Sequence, residues 1–205
     1  MPSSEDHWTA IYRKHRASEL SWFQAEPTCS LALIEAAGLA RSDPILDVGG
    51  GASLLVDHLL DRGYQDITVL DLAAPALDAV RARLGPRDQA VTLLHADLAG
   101  FVPKRRYGLW HDRAVFHFLT SVEDRRSYLR ALDASLHPGG HVVIATFAPD
   151  GPARCSGLDV VCYEPSALAA TLGPQFALLR VQRELHVTPT GVVQPFQYSL
   201  FRAAV

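Results

Sequence analysis

The run Pro44-Ile-Leu-Asp-Val-Gly-Gly-Gly-Ala-Ser53 constrains this chain more than any other stretch. Apolar residues lead into an acid, three glycines follow, and an apolar helical pattern begins directly after them. That order calls for a strand end, a tight turn and a helix start in immediate succession. Glycines at such a turn let backbone N–H groups come close to a bound molecule, because no side chain intervenes. A strand that feeds a helix in this way is the opening unit of a parallel α/β sheet.

The rest of the chain repeats the alternation. Short apolar runs at 45–48, 67–71, 91–95, 107–111 and 141–147 read as strands, with helices near 53–62, 75–84 and 122–136 between them. Leu77, Val80 and Leu84 form one stripe on a helix. Pro75 suits that helix's first turn and Gly85-Pro86 its end. Ser121 with Asp124 resembles a capping box for the next helix, and Pro138-Gly-Gly140 reads as a turn into the strand at 141–147. Residues 7–40 read as one amphipathic helical stretch ending near Gly38. After a short helix at 165–172, extended stretches at 176–187 and 195–202 flank Thr188-Pro-Thr-Gly191 and read as a hairpin. The expected fold is α/β, a doubly wound, mostly parallel seven-stranded sheet with a C-terminal antiparallel hairpin. Residues 1–205 are expected to form one domain, with 1–40 as a helical lid.

Composition narrows the function classes. With 205 residues, 48% of them apolar and 20% charged, the chain is long and apolar enough to fold around a full core. Its net charge of −3 and scattered basic residues supply no face for nucleic acid. The densest basic cluster, Lys104-Arg-Arg106, reads as a solvated loop. Cys29, Cys155 and Cys162 fit neither a disulfide framework nor a zinc site and read as inert thiols, so no metal is expected. No apolar run approaches the ~20 residues of a membrane span. The start, Met1-Pro-Ser-Ser-Glu-Asp6, lacks the basic and apolar regions of a signal peptide, so a cytoplasmic location is expected. Oligomeric state is left open.

The ligand chemistry follows from the strand ends. Asp71 stands twenty residues after Gly51, at the end of the run Ile67-Thr-Val-Leu70. A carboxylate at that distance accepts both hydroxyls of a ribose. Dinucleotide loops carry a further glycine three residues on, and phosphate cradles need G-x-x-x-x-G-K-[ST]; neither occurs, so the site suits a nucleoside without phosphates. Asp47, Asp97 and the pair His111-Asp112 also end strands. Asp47 reads as folding the glycine loop. His111 is the candidate for proton transfer, since an imidazole titrates near neutrality, and its alternative role is a hydrogen bond to adenine, backbone or Asp112. Asp112 is a second catalytic candidate, or pairs with Arg113 to order the loop. His117, among Phe116, Phe118 and Leu119, reads as a satisfied core histidine.

Together, I-L-D-V-G-G-G-A-S, T-V-L-D-L, H-A-D-L and the hairpin-ended strand pattern resemble Rossmann-like, seven-strand methyltransferases that use S-adenosyl-L-methionine, from Ile45 onward. Ser53 replaces the last glycine of their usual D-x-G-x-G-x-G loop. The resemblance implies that Gly49 and Gly51 line the methionine part of the cofactor, that Asp71 holds its ribose and that Asp97 holds its adenine amino group. It also implies cofactor contacts at Asp47, Gly50, Leu72, Leu98, His111 and Trp22. Locally, Trp110-His-Asp-Arg-Ala114, Pro138-Gly-Gly140, Thr146 and Gly151-Pro152 are similar to thiopurine and thiol methyltransferases. His7-Trp8, Tyr12 and Ser21-Trp-Phe23 look like the aromatic entry segment of seven-strand lysine methyltransferases. The expected acceptor is a small molecule, under a roof made of the N-terminal segment and the loop 149–162. A protein lysine is the alternative acceptor, and a non-catalytic adenosine-binding partner subunit is the alternative from another class. Membrane and nucleic-acid partners are not expected.

Overall fold

A computed structural model describes residues 3–205; Met1 and Pro2, the first two positions of the start read as leaderless, lie outside it. The strands are β1 (Ile45–Val48), β2 (Ile67–Asp71), β3 (Val91–His95), β4 (Tyr107–Arg113), β5 (Leu136–Phe147), β6 (Arg154–Cys155), β7 (Leu158–Asp159), β8 (Phe176–Val187) and β9 (Val193–Ala203). Seven of them form one sheet in the order β3-β2-β1-β4-β5-β9-β8, and β6 and β7 make a separate short ladder. The pairs among β1–β5 are parallel, while β9 runs antiparallel to both β5 and β8. Strand order reverses between β1 and β4, which opens a crevice at the carboxyl ends of those two strands.

Helices cover both faces: α1 (Ser4–Lys14), α2 (Thr28–Ala36), α3 (Leu55–Asp61), α4 (Ala74–Leu84), α5 (Val122–Ser135) and α6 (Pro165–Leu172). Every residue of β1 and β2 is buried, as befits central strands clad on two sides. One core packs Leu33, Ile34, Leu55 and Val80 onto Ile45 and Val143. The other packs Tyr128, Leu132 and Leu168 onto Leu46, Trp110 and Val142. Local signals in the sequence operate as expected. Pro75 sits in the first turn of α4, and Ser121 Oγ accepts from Asp124 N at 3.0 Å at the start of α5.

Two expectations are corrected. Residues 7–40 are not one helix: α1 stops at Lys14, a 3-10 turn spans Ala17–Glu19, and α2 begins only at Thr28. Pro27 disfavours a helical conformation at Glu26 on steric grounds, and the irregular segment before it lets Leu20 reach the core and Trp22 turn toward the carboxyl edge of the sheet. Nor does Pro138-Gly-Gly140 form a turn ahead of its strand. Tyr107 pairs with Leu136 and Leu109 with His141, so residues 137–140 bulge opposite Gly108 within the β4–β5 ladder. Among the described residues, no helix is long and apolar enough to cross a membrane.

Candidate functional site

A cavity of about 520 Å³ opens along the carboxyl edge of the sheet. One wall is built where three parallel strands end: Gly49 follows β1, Asp71 ends β2 with Leu72 after it, and Asp97 and Leu98 follow β3. The opposite wall is aromatic, with Trp8, Trp22, Phe118, Phe147 and Phe196. Trp8 packs edge-on against both Trp22 and Phe118, with ring centroids 5.8 and 5.1 Å away, so the N-terminal segment closes over the sheet through aromatic contacts. A second cavity of about 40 Å³ is lined by Ser30, Asp47, Gly50 and His111. Trp22, Gly49 and Arg113 line both, so the two spaces adjoin.

Asp71 ends β2 at 6% exposure. Its Oδ1 accepts from Ala73 N at 2.7 Å, and burial pushes its carboxyl pKa up to about 6. Gly51 explains itself here: its φ is +51°, and a Cβ on it would stand 2.2 Å from the Tyr12 hydroxyl and 3.3 Å from Asp71 Oδ2. Tyr12 of α1 thus comes down onto the glycine turn beside Asp71. Burial, with the Asp71 carboxylate second, pushes its phenol well above the ordinary range.

Asp47 and His111 face each other across β1 and β4. His111 Nδ1 donates to Asp47 Oδ1 at 2.7 Å, and Nε2 stands 2.9 Å from Ser30 Oγ of α2. All three side chains are buried. The other oxygen, Asp47 Oδ2, lies under the loop, 2.4 Å from where a Cβ on Gly50 would be. By residue type this is a serine–histidine–aspartate relay, but the adjoining cavity has room for only a few water molecules. Its effect is to tie α2, β4 and the glycine loop together.

Asp112 is fully buried and lines neither cavity. It accepts from Val115 N at 2.9 Å, from Phe116 N at 3.1 Å and from the Tyr128 hydroxyl at 2.6 Å. Burial pushes its pKa, too, up to about 6. It does not pair with Arg113, which corrects that expectation: neighbours on a strand point to opposite faces. Arg113 instead donates from Nε to the Tyr198 hydroxyl at 2.8 Å and from a terminal nitrogen to the Trp22 carbonyl at 3.0 Å, and its guanidinium stacks 4.3 Å from the Phe196 centroid. Glu184 lies 3.8 Å from that guanidinium and accepts from Tyr198 and Gln24. Ala114 follows at φ +70°, an uncommon conformation for a residue with a Cβ, and turns the chain so that Val115 and Phe118 meet the large cavity.

His117 is buried, as expected of a core residue, but it is not satisfied. Neither ring nitrogen meets a partner, and burial pushes its pKa down to about 3. Cys155 and Leu158 of the β6–β7 ladder line the large cavity, on the loop expected to roof it. The three cysteines are free, and among the described residues no cluster suited to a metal ion exists. Of the basic cluster, Arg105 pairs with Asp66 and Arg106 donates to the Leu136 carbonyl at 2.7 Å.

The structure therefore gathers Trp22, Gly49, Asp71, Leu72, Asp97 and Leu98 around the large cavity and Asp47, Gly50 and His111 around the small one. Gly51 and Asp112 line neither. Ser30, Gln24, Glu184 and Tyr198 were missed. Glu184 and Tyr198 gave a signal, as polar groups inside the hairpin strands, whereas Ser30 on an otherwise apolar helix face gave none.

Known proteins share part of this sequence and the fold. A profile described as a methyltransferase domain matches residues 46–142. An uncharacterized methyltransferase of Mycobacterium tuberculosis is 30% identical over 117 residues, which are 57% of this chain and 56% of that protein. The malonyl-[acyl-carrier protein] O-methyltransferase 2 of Ilyobacter polytropus is 23% identical over 52% of this chain and 40% of its own length. The chain thus spans about half the length of the curated relatives it matches. Among solved structures, the N-methyltransferase NodS of Bradyrhizobium japonicum, in complex with S-adenosyl-L-homocysteine, superposes with a TM-score of 0.75 at 16% identity, over 97% of this chain and 99% of that one. The 1,6-didemethyltoxoflavin-N1-methyltransferase of Burkholderia thailandensis gives 0.71 at 21% identity, over 100% and 92%. At such identities the likeness is one of fold.

Proposed function

We propose that this chain, which matches a methyltransferase-domain profile over residues 46–142 and shares the fold of NodS, transfers a methyl group from S-adenosyl-L-methionine to a nucleophilic atom of a small molecule. The observation that carries the proposal is the large cavity, glycine-turned and acid-ended on one side and aromatic on the other. Its volume lies in the range of small-molecule sites. Its lining suits the cofactor: Asp71 has an oxygen not engaged by Ala73 for a sugar diol, Asp97 and Leu98 stand at the next strand end for a base, and Ser30, Asp47 and His111 edge the adjoining small cavity. When bound, the cofactor supplies an electrophilic methyl group on a sulfonium.

The chain's own residues then have defined tasks. Asp71 fixes the sugar, and the relay Ser30–His111–Asp47 holds the glycine turn in place. Trp8, Trp22 and Phe118 exclude water and present π surface to positive charge. Arg113, clamped by Tyr198 and Trp22, fixes the acceptor end of the cavity. No base is assigned. Both ring nitrogens of His111 have partners, and Asp112 is saturated and out of reach of the cavity. Catalysis then rests on alignment, which requires the reacting atoms to be held ~3–3.5 Å apart.

Incubating the protein with methyl-labelled cofactor and a cell extract, then separating label by molecular size, tests this reading. Label in the small-molecule fraction is expected. Label confined to protein would replace the proposal with a protein methyltransferase. Cofactor binding without any labelled product would replace it with a non-catalytic adenosine-binding subunit.

A further inference from the structure

The glycine turn is gripped from outside by a residue that lines neither cavity. Arg83 stands in the last turn of α4. Its Nη1 donates to the Ala52 carbonyl at 3.1 Å and its Nη2 to the Ser53 carbonyl at 2.7 Å. Asp57, in the first turn of α3, accepts from Nε at 3.0 Å and from Nη2 at 2.8 Å, which keeps the guanidinium in that orientation. The two side chains are 26 and 16% exposed, so water competes little for these bonds. Among the described residues, no backbone amide donates to either carbonyl. The other polar groups of Ser53 are used locally: its N donates to the Gly50 carbonyl at 2.9 Å, and its Oγ accepts from Leu55 N at 3.1 Å.

We propose that Arg83 is a positioning residue of the cofactor site, an inference that rests on the methyl-transfer reading above. Ala52 and Ser53 line the small cavity while their carbonyls are held by Arg83, so the arginine acts on the site through them. α4 begins at Ala74, shortly after Asp71, so the helix that follows the acid assigned to the sugar also carries the brace for the turn. Arg83 thereby fixes the spacing between Asp71 and the turn, across the first two β–α units. The turn needs such a hold: Gly49 and Gly51 sit at φ +60 and +51°, and glycine is the residue freest to leave any one conformation. A planar guanidinium donates in fixed directions to both carbonyls and the carboxylate together, which an ammonium does not. A cofactor with its sugar at Asp71 directs its amino-acid end toward Gly49, where the two cavities adjoin, so that end feels the shape of the turn most.

Titration calorimetry of the full chain with two probes tests this. One is S-adenosyl-L-homocysteine; the other is methylthioadenosine, which keeps the adenine and ribose but has no amino-acid end. Arg83→Met keeps the aliphatic stem and removes every donor. Its affinity for S-adenosyl-L-homocysteine is expected to fall at least about tenfold, while that for methylthioadenosine moves less than about twofold. An equal fall for both probes would mean a general loosening of the fold, and no fall in either would mean that the turn holds itself; each overturns the positioning role. Arg83→Lys keeps a charge beside Asp57 and loses the fork, so its affinity for S-adenosyl-L-homocysteine is expected nearer to the methionine variant than to the wild type. Full recovery with lysine overturns the bracing of the carbonyls and leaves only an ion pair between α3 and α4. Thermal melts of the same samples show which variants are folded, and the lysine variant carries the two-probe comparison by itself should methionine prevent folding. A wild type that binds neither probe overturns the cofactor reading and this inference together. A wild type that binds both, with variants that match it, overturns this inference alone.

Discussion

The two halves of the sheet's carboxyl edge treat their polar groups in opposite ways. Along β1–β3, Asp71 uses one oxygen on Ala73 N and keeps the other at the glycine turn beside the cavity, and Asp97 lines the cavity as well. Along β4–β9, Asp112 is closed off by two backbone amides and Tyr128, while Arg113, Tyr198, Glu184 and Gln24 bind one another. Burial pushes both Asp71 and Asp112 up to about 6, so neither burial nor acidity tells them apart. Their position does: Asp71 lines the large cavity and Asp112 lines neither. The first half presents acids to a polar ligand. The second presents chiefly an aromatic wall, with Arg113 Nη2 and the His117 ring left without hydrogen-bond partners among its buried polar groups.

Removing the two acids should break this contrast open. Asp112→Ala strands two backbone N–H groups and a phenol in the core, at about 1–3 kcal/mol for each unsatisfied group. A loss of at least ~3 kcal/mol in denaturant melts is expected, with cofactor affinity of the folded protein little changed. Weakened cofactor binding at unchanged stability would place Asp112 in the site and dissolve the contrast.

Asp71→Ala should act in the other currency. Cofactor affinity is expected to fall by ~1.5–3 kcal/mol in titration calorimetry, the range for hydrogen bonds to a charged group. Stability should hold or rise, because an acid raised by burial carries a desolvation cost when ionised. The pH dependence has a definite sign. Only the ionised carboxylate accepts both diol hydrogens, so wild-type affinity should fall about tenfold per unit as pH drops below the Asp71 value of about 6. The alanine variant should show no such slope. Equal affinities for wild type and variant at neutral pH would remove Asp71 from the cofactor site.

The halves also differed in how much of them the sequence revealed. The β1–β3 half, where the cofactor is proposed to sit, was legible because its signals are local: an acid at a strand end, glycines at a turn and a fixed spacing to Asp71 lie within one β–α–β unit. The β4–β9 half depends on contacts between distant segments. Ser30 meets His111 across 81 positions and Arg113 meets Tyr198 across 85. No pattern in either segment announces such a meeting. The Asp112–Arg113 pairing failed because adjacency in sequence suggested contact where strand geometry forbids it. The single N-terminal helix failed because the amphipathic pattern ran on past the break at Pro27. Strand order beyond β5 was legible in outline, since turn residues at 188–191 marked the hairpin.

A gentler probe sharpens the contrast from within the β4–β9 half. His117 is an exception there beside Arg113 Nη2, a polar ring packed 4.5 and 4.8 Å from Phe118 and Phe147 with both nitrogens unpartnered. Phenylalanine keeps the ring and removes the desolvated nitrogens, so His117→Phe is expected to raise stability by about 1–2 kcal/mol. The sign of its pH dependence follows from burial, with Arg113 second, which holds the native pKa at about 3, below the ordinary value of 6.5. Between those values the unfolded chain binds a proton that the native ring refuses. The wild type therefore loses this contribution as pH falls from 6.5 toward 3, while the variant does not. Asp71 and Asp112 act in the reverse sense, lowering stability as pH rises from the ordinary carboxylate value of 3.8 to about 6, but they are common to both proteins and cancel in the difference. Thermal melts at pH 7 and pH 5 should show the variant's advantage widening at the lower pH. A variant that melts below the wild type at both values would mean that the nitrogens are satisfied in solution, leaving Arg113 Nη2 as the buried polar group of this half without a hydrogen-bond partner.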